Sequence, residues 1–212
     1  MFFSFSISLV LIMAAYLLGS IPTGYAAGRY LKGIDIREHG SGSTGATNVL
    51  RTLGKPAAIF VLIIDLLKGS LALALVNFSF AYIPNNILPT SWHSWLIVTV
   101  ALAAIIGHSK SIWLNFTGGK SVATTLGVLF VMNPVVALGT LASFGIILGI
   151  TRIVSLSSIC GAIVVNILMI VLNQPTAFSV FAALAGLYVI VRHKTNIQRL
   201  IAGVEPKIGQ AL

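Results

Sequence analysis

The amino-acid sequence predicts an all-α, polytopic membrane protein of about seven transmembrane helices, with the N-terminus outside and the C-terminus in the cytoplasm. Three observations predict it. Of the 212 residues, 57% are hydrophobic and 8% charged, too few charges to solvate the surface of a soluble domain. The uncharged runs between charge clusters reach or exceed the roughly 20 residues that cross a bilayer. The Lys and Arg residues gather in alternate loops, as they do on the cytoplasmic face of membrane proteins.

The elements follow in order. The first charge is Arg29, and a secretory signal would carry an earlier basic segment, so helix one is expected as a retained span over about 3–28. After a charged stretch, helix two runs from Pro56 to about residue 78 with Asp65 and Lys68 inside it. Residues 69–109 hold no Lys, Arg, Asp or Glu, too long for one span, and Pro84-Asn85-Asn86 with Pro89 marks the break before helix three at 92–108. Helix four, 119–132, is short for a full crossing. Asn133-Pro134 separates it from helix five, 134–150; Arg152 precedes helix six, 154–172; Asn173-Gln174-Pro175 precedes helix seven, 176–191. The whole chain, 1–212, is expected to form a single domain.

Lys plus Arg number 13 and Asp plus Glu 4, a net charge of +9. Five basic residues lie in loop 29–55, two at Lys110 and Lys120, one at Arg152 and four in the tail from Arg192. Those 12 share one face, and Lys68 alone lies inside a helix. A basic chain this apolar suits anionic lipids or a phosphorylated substrate rather than nucleic acid. The single cysteine, Cys160, sits in an apolar run as small filler and has no partner for an internal disulfide.

Three segments on the basic face are chemically dense. Gly40-Ser41-Gly42-Ser43-Thr44-Gly45-Ala46-Thr47-Asn48, followed by Arg51, offers backbone N–H groups and hydroxyl and amide donors to an anion. No Gly-Lys-Ser/Thr ends it, so it is not a P-loop. Gly107-His108, then Phe116-Thr117-Gly118-Gly119-Lys120-Ser121, brings glycines and a cation to an expected helix start, where N–H groups and the helix dipole also favour anions. Arg152-Ile153-Val154-Ser155 and Arg192-His193-Lys194-Thr195-Asn196 complete the set. His193 and Asn196 are three apart and would share a helix face, as would Asp65 and Lys68. Charges at the depth of that second pair either neutralise each other or line a polar cavity.

Taken together these segments resemble the bacterial acyl-phosphate:glycerol-3-phosphate acyltransferases. The likeness runs through Gly19-Ser20-Ile21-Pro22, the 40–51 segment, Asp65-Leu66-Leu67-Lys68-Gly69, Gly107-His108, 116–120, Arg152 with Ser155 to Ser158, and Arg192 to Ile197, nearly the whole chain. Many relatives have Asn at position 43, Pro at 111 and Gly at 121, where this chain has Ser43, Ser111 and Ser121. The resemblance implies a multi-pass enzyme of the bacterial inner membrane whose active site faces the cytoplasm. Its partners would be glycerol 3-phosphate, a fatty acyl phosphate and membrane lipids, and its products lysophosphatidic acid and inorganic phosphate. It implies that Ser41, His193 and Asn196 lie near the chemistry, and that Arg51, Lys120 and Arg152 hold phosphate. Gly42, Ser43, Thr47, Asn48, Gly118, Gly119 and Ser155 are the accompanying candidate ligands. An acyl phosphate already has a good leaving group, so positioning and electrostatics are the enzyme's main tasks. His193 or a substrate phosphate could take the hydroxyl proton.

Several signals are missing from the sequence. No His is followed five residues later by Asp, four acidic residues make no Mg²⁺ cluster, and the His and Cys spacing suits no zinc site, so no cofactor or metal is expected. A transporter for a phosphorylated metabolite is the alternative reading, because basic loops and intramembrane charges suit that task too.

Overall fold

The computed structural model describes residues 1–210, and they fall into two compact units, 1–132 and 133–210. The fold is all-α; among the described residues the one non-helical pairing is an isolated bridge between Ser111 and Thr117.

The N-terminal unit holds α1 (Phe2–Ser20), α2 (Thr23–Lys32), α3 (Ala46–Leu53), α4 (Lys55–Tyr82), α5 (His93–Ser109) and α6 (Val122–Met132). α1 packs on α5 and α4, α4 packs on α5 and α6, and α3 lies against α4. The close pairs are built on small residues. Gly19 and Gly107 back onto the main chain of the facing helix in the α1–α5 pair, and Gly69 and Gly127 do so in the α4–α6 pair. Close backbone approach of this kind stands in for hydrophobic drive where the solvent is itself apolar.

The expected first helix, 3–28, is two helices. Pro22 supplies no N–H and pushes Ile21 out of the helical region, to φ −53° and ψ 115°. Carbonyls freed at the break find side-chain donors. Lys68 Nζ donates to Ile21 O at 3.2 Å and Ser111 Oγ to Ser20 O at 2.6 Å. The chain then continues to Lys32, where Gly33 at φ 67° caps the helix.

The C-terminal unit holds α7 (Pro134–Thr151), α8 (Val154–Val171), α9 (Thr176–Arg192) and α10 (Lys194–Ile201). α8 packs on both α7 and α9, and α10 lies against α8 and α9. Asn133 caps α7 through its side-chain oxygen, as Asn-Pro at a helix start favours. Two short helices, α3 and α10, stand where the sequence suggested only loop and tail. Both are strongly two-faced, and their apolar residues are spaced for one face within eight residues.

By length and apolar character five helical segments can cross a membrane: 2–32, 55–82, 90–109, 134–151 and 154–171. α9 and α10 form a pair bent by 60°, which makes six if counted as one span. α6 has 11 residues, about 16 Å of helix, which is short of a bilayer core.

Candidate active site

In the N-terminal unit the first glycine segment is held from beneath. Asp35 accepts the Arg37 N–H at 3.0 Å and caps the short turn Ile36–Glu38. The Arg37 guanidinium returns in a fork, Nε to Asp35 Oδ1 at 3.0 Å and Nη2 to Oδ2 at 2.7 Å. That hydrogen bonding outweighs burial and holds the Asp35 carboxyl down at about 2. Tyr25 lies between Arg29 and Arg37, each within about 5.3 Å of its ring centre. The Arg37 Nη1 reaches Thr117 Oγ1 at 3.3 Å and so ties the first glycine segment to the second.

Asn48 shapes the loop itself. It is 1% exposed, accepts the Ser41 N–H on Oδ1 at 2.8 Å, and directs Nδ2 at the carbonyls of Ile36, His39 and Ser43 at 2.9–3.1 Å. The sequence suggested Asn48 as an anion donor; the structure spends its amide on the backbone of the loop. Gly40 and Gly42 turn through left-handed φ of 58° and 68°, so Ser41 stands exposed on the outside of the turn. Ser43 Oγ accepts the Gly45 N–H at 3.3 Å, Thr47 and Arg51 lie half-buried on α3, and Gly42 is exposed beside Ser41.

The second segment leaves α5 at Ser109 and returns to it. Gly119 N–H donates to the His108 carbonyl at 3.2 Å, and Ser121 Oγ donates to the Ile105 carbonyl at 2.8 Å. Lys120 therefore sits between two attachments to one helix end, half-buried. Ser121 has φ 64°, the left-handed region. That conformation carries a steric cost for a side chain such as that of Ser121, which glycine would not bear. It also delays α6: the helix begins at Val122, so Gly118, Gly119 and Lys120 precede it rather than starting it at 119 as expected.

Beneath this segment lie the intramembrane charges. Asp65 and Lys68 are 2% and 3% exposed and pair at 2.8 Å. Of the two sequence readings, neutralisation is what the geometry shows. The sequence placed His108 with the second glycine segment but not beside this pair; its Nδ1 lies 3.6 Å from Asp65 Oδ1.

In the C-terminal unit Arg152 ends α7 at φ 60° with its side chain exposed, and its carbonyl accepts the Ile208 N–H at 2.8 Å. His193 is buried at the bend between α9 and α10. Its Nδ1 lies 2.7 Å from the Val189 carbonyl. A carbonyl can only accept, so Nδ1 carries the hydrogen and a neutral ring has its lone pair on Nε2.

Glu205 is the residue that sequence reasoning missed. Its carboxylate collects Ser155 Oγ at 2.7 Å, Asn196 Nδ2 at 2.6 Å and Arg199 Nε at 2.7 Å. Burial pushes this carboxyl up, but the donors Asn196, Ser155 and Arg199 outweigh it and bring it below its ordinary value. Ser155 thus gives its one hydroxyl hydrogen to Glu205, and Asn196 is fixed by the tail. The available signal was rarity, since Glu205 is one of four acidic residues and sits among cations. Among the described residues no three His, Cys, Asp or Glu gather as a metal-holding group.

Comparison with known proteins matches residues 9–203 to the glycerol-3-phosphate acyltransferase family. A glycerol-3-phosphate acyltransferase of Rippkaea orientalis is 68% identical, over 99% of this chain and 96% of that protein. One of Crocosphaera subtropica is 60% identical, over 99% and 97%. Among solved structures, the glycerol 3-phosphate form of PlsY, an integral membrane glycerol 3-phosphate acyltransferase, superposes with a TM-score of 0.86 at 38% identity. It covers 95% of this chain and 96% of its own. The lysophosphatidic acid form gives 0.82 at the same identity.

Proposed function

The chain belongs to the glycerol-3-phosphate acyltransferase family, and from that premise we propose that it draws the acyl group from a fatty acyl phosphate. The acceptor is glycerol 3-phosphate and the lipid product is lysophosphatidic acid. Family membership removes the support for a transporter.

In the proposed reaction the 1-hydroxyl oxygen of glycerol 3-phosphate attacks the acyl carbonyl carbon. The carbon–oxygen bond to phosphate breaks, and inorganic phosphate leaves with the electron pair. The hydroxyl proton passes to His193 Nε2 and from there to the departing phosphate. The single observation that favours His193 over a substrate phosphate as the base is the Nδ1 hydrogen bond to Val189, which assigns the lone pair to Nε2. Ser41, exposed on a turn, donates to the developing oxyanion. Arg51, Lys120 and Arg152, with the hydroxyls of Ser43 and Thr47, hold phosphate. Gly42, Gly118 and Gly119 act by shape: the Gly42 and Gly119 N–H groups donate to the His39 and His108 carbonyls and keep the two turns closed. Asn48 and Ser155 act by shape, one through its loop and the other through Glu205. Asn196, held by Glu205, orients the bend that bears His193.

The chemistry is proposed for the cytoplasmic face of a bacterial inner membrane, with seven crossings, the N-terminus outside and the C-terminus inside. The support is the segregation of 12 of 13 basic residues into alternate loops.

Purified protein given glycerol 3-phosphate and a fatty acyl phosphate should release phosphate and form lysophosphatidic acid without added coenzyme A or metal. Product from an acyl thioester but none from acyl phosphate overturns the donor assignment. His193→Gln should lower kcat by about a hundredfold, within the range for a lost general base. An undiminished kcat assigns the proton to the substrate phosphate.

A further inference from the structure

We infer that His108 is a positioning residue for Lys120: its ring, seated on the buried Asp65–Lys68 pair, fixes the Gly118–Gly119–Lys120 segment at the distance phosphate needs. This rests on the reading of Lys120 as a phosphate ligand.

The pair itself asks for a reason. Asp65 lies about ten residues into α4, some 15 Å from its start, where an ionised group is costly unless matched. Replacing such a pair with packed apolar side chains is often neutral or stabilising, so burial of this kind is weak evidence for stability. What the pair does hold is geometry. Lys68 anchors one end by donating to the Ile21 carbonyl at the Pro22 break, 3.2 Å away, while bonding Asp65 at 2.8 Å. Asp65 Oδ1 then faces His108 Nδ1 at 3.6 Å, so the ring packs against the carboxylate. The imidazole, 7% exposed, turns its other edge to the glycine segment. A Cβ built on Gly119 would overlap His108 Nε2, and one built on Gly118 would overlap the His108 carbonyl. The segment is therefore in contact with this one residue through both its ring and its main chain.

Lys120 is the next residue along. Its two neighbours are attached to α5, Gly119 through the His108 carbonyl and Ser121 through the Ile105 carbonyl. The main-chain attachments set how far the segment stands along α5. The ring sets how closely Gly119 approaches. Removing the ring leaves the attachments and lets Gly119 sink toward the gap, taking the Lys120 Cα with it. A displacement of about 1 Å is enough to impair a positioned electrostatic contact.

The test is a kinetic cycle on purified, full-length enzyme, with KM for glycerol 3-phosphate and for acyl phosphate and kcat measured separately. Thermal midpoints are followed in parallel. Lys120→Ala should raise KM for one of the two phosphate substrates about tenfold or more. His108→Ala should raise KM for that same substrate by about fivefold to tenfold, with kcat within about threefold. In the Lys120→Ala background, His108→Ala should add less than about twofold, because groups acting through one contact are not additive. Effects that multiply, or a His108→Ala enzyme with unaltered KM, overturn the inference. An unchanged KM in Lys120→Ala overturns the phosphate reading of Lys120 as well, a separate failure. If His108→Ala does not fold, Gly119→Ala displaces the same ring from the opposite side and must give the same KM rise and the same non-additivity with Lys120→Ala.

Discussion

Asn48 shows how far a residue type alone can be read. In the sequence it is one more donor in a Gly-Ser-Thr run, and an anion is the obvious acceptor. In the structure it holds four backbone groups of the loop, on Ile36, His39, Ser41 and Ser43. Residue type gave the donors but not their acceptors, because the carbonyls it meets come from a turn whose path the side chain itself determines. The clasp predicts a sharp asymmetry. Asn48→Asp keeps the size and the oxygen for the Ser41 N–H but replaces the donating nitrogen with an acceptor facing three carbonyls. Stranding buried carbonyls costs on the order of 1–3 kcal/mol, so the thermal midpoint should fall by several degrees and turnover by tenfold or more. Activity and midpoint both equal to wild type would show that the loop does not depend on this clasp. Arg51 and Lys120 stood out in the sequence as cations beside glycine runs, and the structure leaves both half-buried next to those turns.

At the level of elements, the apolar helices α4, α5, α7, α8 and α9 were legible because composition and Pro or Asn punctuation mark them directly. The break at Pro22 was hidden by the absence of charge on either side of it, and α10 by its basic residues, which read as tail. The docking of residues beyond α10 was hidden most completely, since it depends on Glu205 meeting Ser155, 50 positions away in the chain. Its pH dependence follows from the three donors. The folded carboxyl lies below its ordinary value, so the native state binds the proton less readily than the unfolded chain. The stabilisation is then complete above the unfolded carboxylate range, near pH 4.3, and is lost as pH falls through the lower folded value. Thermal midpoints measured from pH 6 to pH 3 should drop more steeply for wild type than for Glu205→Gln, which has no proton to gain. Parallel curves would mean that another carboxylate governs the acid limb.

For the whole molecule, the charge pattern makes a claim that helix geometry leaves unfixed. Five segments are long and apolar enough to cross, six with the bent α9–α10 pair, while α6 has 11 residues. Charge distribution needs α6 to count as a crossing. Without it, Arg152 and the basic tail would fall on the face opposite loop 29–55, and 12 segregated cations would become seven against five. The positive-inside bias acts through each Lys and Arg near a helix end, so that split would leave the orientation nearly undetermined. Full segregation therefore predicts that α6 crosses. A thiol-labelling experiment decides the matter. Cys160, the only cysteine, is replaced by Ser, which should leave turnover nearly intact since it is a small, half-buried filler on α8. Single cysteines then go in at the exposed positions Asn86, Lys110 and Lys207. In intact cells a membrane-impermeant maleimide should label Asn86→Cys at once, and Lys110→Cys and Lys207→Cys only after permeabilisation. Labelling of Lys207→Cys from outside, with Lys110→Cys still protected, would remove α6 from the crossings and place the tail with Glu205 on the outer face.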